Sequence, residues 1–578
     1  MKPSRLAGWT GAAALLLSAA AVTAQTSAGG TTPPTQQTAG SSRSAGGATR
    51  AAATAAVVTH AAISEADLRH RLFLIADDSM GGRPTGSRGH VMVTEYIAAE
   101  MKRLGLEPAG DDGTYFQNVP FVRRTVAAGS SLEVGGRPLE RNVDYIPFDA
   151  QGPTRSFMEG AQVIYGGIIN DTTTHITAEQ AAGKVVVLRS PFSGIIIGRG
   201  LPGSRWADAA ALIVVVPDAA QRFFPQIASG GPVRTKPAPA FTQPQPLIVI
   251  ESVAARLFSA PWDANLQPGT TGATMRGRIA FHGEPVIARN VVAVLPGRSP
   301  ALRGQYVAIG AHSDHDPVRP VGVDHDSLRT FNAIARRMTV SKGSRLTGAE
   351  RAAIVVNMDS LRRIAPARRD SILNGADDDG SGTVALMEIA EAMAHSATKP
   401  HRSTLFIWHV AEELGLLGAE YYTDNPTVPR DSIVAALNVD MIGRGGVGEE
   451  IGGGPDYLQL IGWRRLSNEL GDLVDAANAK QPLPFRFDLS YDAEGHPEQY
   501  YCRSDHYMYA RYAIPVVFFT TGSHGDYHQV TDEPQYIGYT KLRAVTNLIH
   551  DVAKQVGDLP HRVAVDGPRP DPTGQCRQ

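Results

Sequence analysis

Tyr306-Val307-Ala308-Ile309-Gly310-Ala311-His312-Ser313-Asp314 is the stretch that decides the fold. Apolar residues fill both parities of the run up to Ala311, so a strand here would be buried on both faces, as strands inside helix-covered parallel sheets are. The run stops on an imidazole and, two residues later, a carboxylate. Other apolar runs behave alike: Thr404 to Val410 leads into Glu412-Glu413, Ile433 to Val439 into Asp440, and Ile514 to Thr520 through a short loop to Tyr527-His528. With Asn290 to Leu295 and the helical stretches between the runs, the pattern predicts an α/β fold with a doubly wound, mostly parallel sheet flanked by helices. Ligands of such sheets sit beyond the carboxyl ends of the strands, where this chain concentrates His, Asp and Glu. One more acidic cluster, Asp377-Asp378-Asp379, precedes Gly380-Ser381-Gly382 and a helix with Leu386, Ile389, Ala390 and Met393 on one face.

Ahead of this region, residues 127–285 read differently. Short β-branched runs, Val185 to Leu188, Leu212 to Val216 and Leu247 to Ile250, are separated by Gly and Pro clusters, which predicts an inserted, smaller β-rich domain without a convergent ligand cluster. The leader before it has helical periodicity at Leu68, Leu72 and Ile75 and again at Val93, Ile97, Met101 and Leu104. It is expected to pack with the sheet that begins near Asn290, making one discontinuous catalytic domain of residues 61–126 and 286–557. Residues 25–60 are Ser, Thr, Gly, Ala and Gln with paired prolines and read as a disordered linker. Residues 558–578 read as a flexible tail. Lys2 and Arg5, the apolar stretch Leu6 to Ala21 and Val22-Thr23-Ala24 form a signal peptide over residues 1–24, so a secreted or periplasmic protein with no integral membrane segment is expected.

Composition removes other classes. The chain has 578 residues with 55 Lys and Arg against 57 Asp and Glu, a net charge of -2 that gives no field for binding nucleic acid. Its two cysteines, Cys502 and Cys576, cannot supply a thiolate zinc site and are expected to pair with each other. Any metal must therefore be held by His and carboxylates, a donor set suited to zinc, with manganese or cobalt as alternatives.

The series Gly310-Ala311-His312-x-Asp314, Asn374-Gly375-Ala376-Asp377-Asp378-Asp379-Gly380-Ser381-Gly382, Glu412-Glu413-Leu414-Gly415, Asn438-Val439-Asp440-Met441-Ile442-Gly443 and Tyr527-His528 resembles the two-zinc aminopeptidases of the M28 metallopeptidase family. Ser504-Asp505-His506 and the leader motif Gly82-Arg83-Pro84-Thr85-Gly86-Ser87 fit the same resemblance, and residues 127–285 look like the protease-associated domain that some members carry. The resemblance implies the zinc exopeptidase fold, two Zn2+ per chain and peptide substrates. It assigns His312 and Asp440 to one metal, Glu413 and His528 to the other, and Asp378 as the bridge, with Asp377 and Asp379 as competitors for that role. Asp314 would orient His312, Glu412 would be the general base toward a metal-bridging water, and Tyr527 would donate to the oxyanion. An aminopeptidase is the function implied. A carboxypeptidase or dipeptidase on the same scaffold and a non-catalytic binding ectodomain are the alternatives, and the sequence sets no oligomeric state.

The chain departs from that family pattern in the long stretch from 315 to 377. A helix is expected there, opening at Thr347-x-x-Glu350 and running through Ile354, Met358 and Leu361, in an insertion that could roof the site. It also carries His315, Asp316, His325 and Asp326, none at a ligand position of the motif. His409, ahead of the Glu pair, stands where a small or apolar residue is expected.

Overall fold

A computed structural model describes residues 59–578 except 149–153, 170, 191–204, 225–231, 235–241, 320 and 575. The signal peptide and nearly all of the 25–60 linker lie outside the described residues.

The largest sheet has nine strands among the described residues. Its centre runs Ser403–His409, Tyr306–His312, Ile433–Val439 and Val516–Thr520, each parallel to its neighbour. Antiparallel strands flank this centre, Arg289–Leu295 beside Ser403–His409 and Tyr457–Ile461 beside Val516–Thr520. Apolar periodicity predicts burial on two faces but carries no information on strand direction, so the antiparallel flanks were not legible in the sequence. The predicted alternation of faces holds residue by residue. Val291, Ala293, Val307, Ile309 and Ala311 join a core with helices Glu65–Ile75, Arg88–Arg103, Gly382–His395 and Tyr539–Asp558. Val292, Val294 and Ala308 face the opposite side, where Tyr422, Tyr507 and Tyr509 pack.

Strand order fixes where a ligand can sit. The chain passes from Tyr306–His312 to Ser403–His409 on one side and then to Ile433–Val439 on the other, so the connections diverge at the carboxyl end of Tyr306–His312. Gly310 pairs with Asn438, which brings His312 level with Asp440, and His312 itself pairs with His409. Register alone therefore delivers three of the candidate segments to one edge.

The leader helices belong to this layer. Arg71, fully buried, reaches Glu388 at 2.7 Å and Glu391 at 2.5 Å on helix Gly382–His395, and strands Glu107–Pro108 and Phe116–Asn118 pair with Arg289–Leu295. The chain then leaves through Phe121–Val126 and returns through Phe281–Val286, two strands paired antiparallel. Between them lies an eight-stranded sheet with its own core, which includes Val185, Val187, Ile213, Val215, Ile248 and Trp206.

The 315–377 stretch contains one long helix, His325–Lys342, and two short ones, Gly348–Ala352 and Met358–Ile364. The single helix expected from Thr347 to Leu361 is thus two: the capping box at Thr347 is present, but the chain leaves helical geometry after Ala353 and restarts behind the Asn357 cap.

Cys502 and Cys576 form a disulfide closing a 74-residue separation. A loop of that size restricts the unfolded chain, so removing the bridge is expected to cost roughly 2–4 kcal/mol. Urea unfolding of a Cys502→Ser, Cys576→Ser double variant measures this; an unchanged midpoint would refute it.

His90, on helix Arg88–Arg103, is fully buried, and burial drives its pKa down from 6.5 to about 4. Below pH 6.5 the unfolded chain binds a proton that the folded chain refuses. The contribution is therefore complete above pH 6.5 and is lost as pH falls toward about 4, a loss on the order of 3 kcal/mol. Urea midpoints should fall across that window, and fall less in a His90→Asn variant.

Candidate metal centre

The five residues expected to hold metal arrive at the same strand edge. His312 is the last residue of its strand, Asp440 follows Val439, Glu412 and Glu413 leave Ser403–His409, and Asp378 opens toward helix Gly382–His395. His528 comes from the loop after Val516–Thr520, held with a positive φ of 54°.

Asp378 sits between two halves of the site. Its Oδ1 is 3.1 Å from His312 Nε2, and its Oδ2 is 3.0 Å from His528 Nε2. On the first side Asp440 Oδ1 is 3.6 Å from His312 Nε2, and on the second Glu413 Oε2 is 3.2 Å from His528 Nε2. His312 Nε2, Asp440 Oδ1, Glu413 Oε1 and His528 Nε2 are buried without a hydrogen-bond partner. Buried polar atoms are almost always paired, so unpartnered donors and acceptors converging on one carboxylate fit a metal centre.

The competing aspartates are committed elsewhere. Asp379 accepts from the backbone amides of His312 at 3.1 Å, Gly382 at 2.8 Å and Met441 at 3.3 Å, stitching three segments together. Asp377 accepts from Gly443 N at 2.6 Å, and its Oδ2 lies 3.3 Å from His524 Nε2. Both are thus held by backbone amides or an imidazole, while Asp379 also stands within reach of His312 and Asp440.

Asp314 meets His312, though by a different atom than expected. The imidazole Nδ1 hydrogen bonds to the Asp314 carbonyl oxygen at 3.0 Å, and the carboxylate stands 3.7 Å away. That carboxylate accepts instead from Thr85 Oγ1 at 3.0 Å and from the Glu412 amide at 3.2 Å, and so fixes the start of the Glu412-Glu413 turn. Tyr527 lies against His528, their ring centroids 3.9 Å apart, and lines a cavity with Glu412, Asp378, Asp440, Tyr500 and Arg503.

Electrostatics follow from burying so many carboxylates together. Burial alone would lower the His312 and His528 pKa values, but Asp440, Asp314 and Asp378 around the first and Glu413, Asp316 and Asp378 around the second raise both well above their ordinary value. Burial pushes Glu412 well above the usual carboxylate range, with Asp440 and Glu413 adding to it and His312 opposing. Protons on the imidazoles occupy the place that cations would take.

Several supporting residues were not legible in the sequence. Asp316 Oδ2 lies 3.1 Å from His528 Nδ1, and His315 Nδ1 lies 2.7 Å from Glu413 Oε1. Both sit at the start of the long insertion, where spacing says nothing about return. Ser504 donates to Asp440 Oδ2 at 2.7 Å. Arg83 is fully buried and donates to the carbonyls of Ser313, Asn374 and Gly375, joining the His312 and Asp378 loops; its Gly-Gly-Arg-Pro setting was the available signal. His409 is buried between Asp505, 3.2 Å from its Nδ1, and the Tyr509 hydroxyl, 3.0 Å from its Nε2, which explains a polar residue there. Among the described residues none from 315–377 lines the cavity. Helix His325–Lys342 instead grips the rim loops, Arg329 holding Asp526 at 2.7 Å and Arg336 pairing with Glu450.

A segment of the chain matches a known family. Residues 290–553 match the model of peptidase family M28. The chain is 41% identical over 83 residues to leupeptin-inactivating enzyme 1 of Streptomyces exfoliatus, covering 14% of this chain and 19% of that protein. It is 27% identical over 202 residues to aminopeptidase Y of Saccharomyces cerevisiae, covering 32% of this chain and 35% of that one. The matched stretches thus span well under half the length of these relatives. The aminopeptidase from Aneurinibacillus sp. strain AM-1 superposes with a TM-score of 0.48 and 17% identity, covering 88% of this chain and 98% of that chain. Residues 290–553, the part of the chain that resembles peptidase family M28, hold all the converging His, Asp and Glu side chains.

Proposed function

We propose that the chain is a zinc-dependent exopeptidase, an aminopeptidase, that binds two zinc ions and removes N-terminal residues from peptides. The observation that carries this is Asp378 offering one oxygen toward His312 and the other toward His528, with unpartnered donors on both sides. His312 and Asp440 would hold one ion, Glu413 and His528 the other, and Asp378 both. Two imidazoles and three carboxylates with no thiolate suit zinc. When bound, zinc supplies Lewis acidity toward water and toward the peptide carbonyl.

The chain's own groups then have defined work. Glu412 takes a proton from the attacking water and returns it to the leaving amine, a role suited to a buried carboxylate whose pKa is raised by desolvation. Asp314 holds the Glu412 amide and the His312 ring, so base and ligand move together. Tyr527, beside His528 and lining the cavity, would donate to oxyanion charge on the carbonyl.

The relative named aminopeptidase Y supports the choice of an aminopeptidase. Residues 127–285 are read as a protease-associated-like accessory domain inserted in a discontinuous catalytic domain, and the signal peptide read at residues 1–24 supports a secreted or periplasmic location. No helix among the described residues is long and apolar enough to cross a membrane. A panel of aminoacyl chromogenic amides set against amino-blocked and carboxy-blocked peptides tests the activity. Cleavage only of amino-blocked peptides would assign a carboxypeptidase, and cleavage of none would leave a binding ectodomain.

A further inference from the structure

Arg503 is the one cationic side chain among the described residues lining the cavity that holds Glu412, Asp378 and Asp440. Its backbone is fixed on both sides: Cys502 is tied to Cys576, and Ser504 is hydrogen bonded to Asp440. The guanidinium therefore springs from a point set by a metal-ligating carboxylate, one side chain away from it. Glu498 is its partner, at 3.5 Å from the carboxylate and 3.3 Å from the carbonyl oxygen. That carboxylate also pairs with Arg345 of the long insertion, so one negative charge serves two positive ones. Arg503 lies 5.4 Å from the Tyr500 ring centroid, and the Tyr500 hydroxyl is held by Ser523 at 2.9 Å, both residues lining the same cavity. Its side chain keeps 41% exposure, enough for a ligand to reach it. On the reading above, Asp378 and Asp440 of the wall are engaged by two divalent ions, and Glu412 is committed to the attacking water. What remains facing a substrate is an under-neutralised planar fork of donors, the geometry that matches a carboxylate in two parallel hydrogen bonds.

We propose that Arg503 binds a carboxylate of the substrate, and that the preferred peptides carry one beside the scissile bond. This rests on the peptidase reading. The carboxylate is either the free carboxy terminus of a dipeptide or an acidic side chain, and matched probes separate the two: Leu-Gly against Leu-Gly-amide, and the p-nitroanilides of Glu against Gln. In the metal-loaded full chain, kcat/KM should favour the acidic member of one pair roughly tenfold, the size expected of a charged hydrogen bond that water partly competes with. Arg503→Gln should collapse that ratio, and Arg503→Lys, which keeps the charge without the fork, should restore part of it. Metal content measured on each variant reports that the centre is intact. If the neutral members are hydrolysed but no pair shows a preference, or if the ratio survives in Arg503→Gln, the inference falls while the peptidase reading stands. If none of the four probes is hydrolysed, both fall.

Discussion

Replacing Glu412 by Gln is expected to lower turnover of an unblocked aminoacyl amide by about two to four orders of magnitude, the usual size of a general-base contribution, with bound metal unchanged. Replacing Glu413 by Gln is expected to lower metal occupancy as well as turnover. Neighbouring, chemically identical residues receive these different tasks because the chain turns sharply between them. Glu413 faces His528 and His315 with an unpartnered oxygen, whereas Glu412 lines the cavity and is anchored through its amide to Asp314. A glutamine at 412 keeps the shape but has no basic oxygen for the proton of the attacking water. At 413 the amide cannot offset a cation's charge, and the His528 half of the site would be left with Asp378 and Asp316 as its anionic groups. The two variants are compared side by side for metal by elemental analysis and for kcat. Loss of metal from the Glu412 variant with full retention by the Glu413 variant would mean the roles are reversed.

The candidate site was legible for a physical reason. Strands buried on both faces must be apolar until they leave the sheet, so the first polar residue after each run marks the strand exit, and in this fold the exits share one edge. His312, Asp440 and the Glu412-Glu413 pair each follow such a boundary directly. His528 needed the family resemblance, because seven residues separate it from Thr520. Choosing Asp378 within its triplet needed it too, since three consecutive aspartates differ only in direction. What stayed hidden was whatever depends on chain return. Asp316 touches the site through a loop whose path no periodicity encodes, and for Ser504 and Arg83, whose motifs the resemblance included, the contacts themselves were not readable for the same reason. Helix His325–Lys342 was missed because its buried positions are His325, Asn332, Ala335 and Thr339, so the face it buries is mostly polar and leaves little apolar period to detect. His325 itself meets Asp370 at 2.9 Å and Glu533 at 3.3 Å, which shows how that polar face is satisfied. The insertion is attached by charge and hydrogen bonds, and these follow pairing geometry, not composition.

Removing metal is expected to abolish hydrolysis, and zinc should restore it with an end point of two equivalents per chain. Asp378, Glu413 and Asp440 are brought within reach of one another's imidazole partners while nearly excluded from water, an arrangement that needs positive charge. Without cations the charge comes from protons, which is why the His312 and His528 pKa values stand well above their ordinary value. Metal and proton thus compete for the same nitrogens, and two consequences follow. Loading zinc at neutral pH should release protons, measurable with an indicator in weakly buffered solution, and apparent affinity should fall as pH falls because protonated imidazole cannot ligate. The second consequence is stability: cations that bind only the folded chain raise its unfolding free energy, by about 4 kcal/mol for a site at a thousandfold its dissociation constant. Asp378→Asn sharpens the count. If this residue serves both ions, its loss should weaken both, and metal content should drop toward zero and not toward one. His312→Ala should instead spare the Glu413 and His528 half. Active wild-type protein with substantially fewer than two metals per chain, or an Asp378→Asn variant that retains one at full occupancy, would replace the shared bridge by a single-ion site in which Asp378 serves only one histidine.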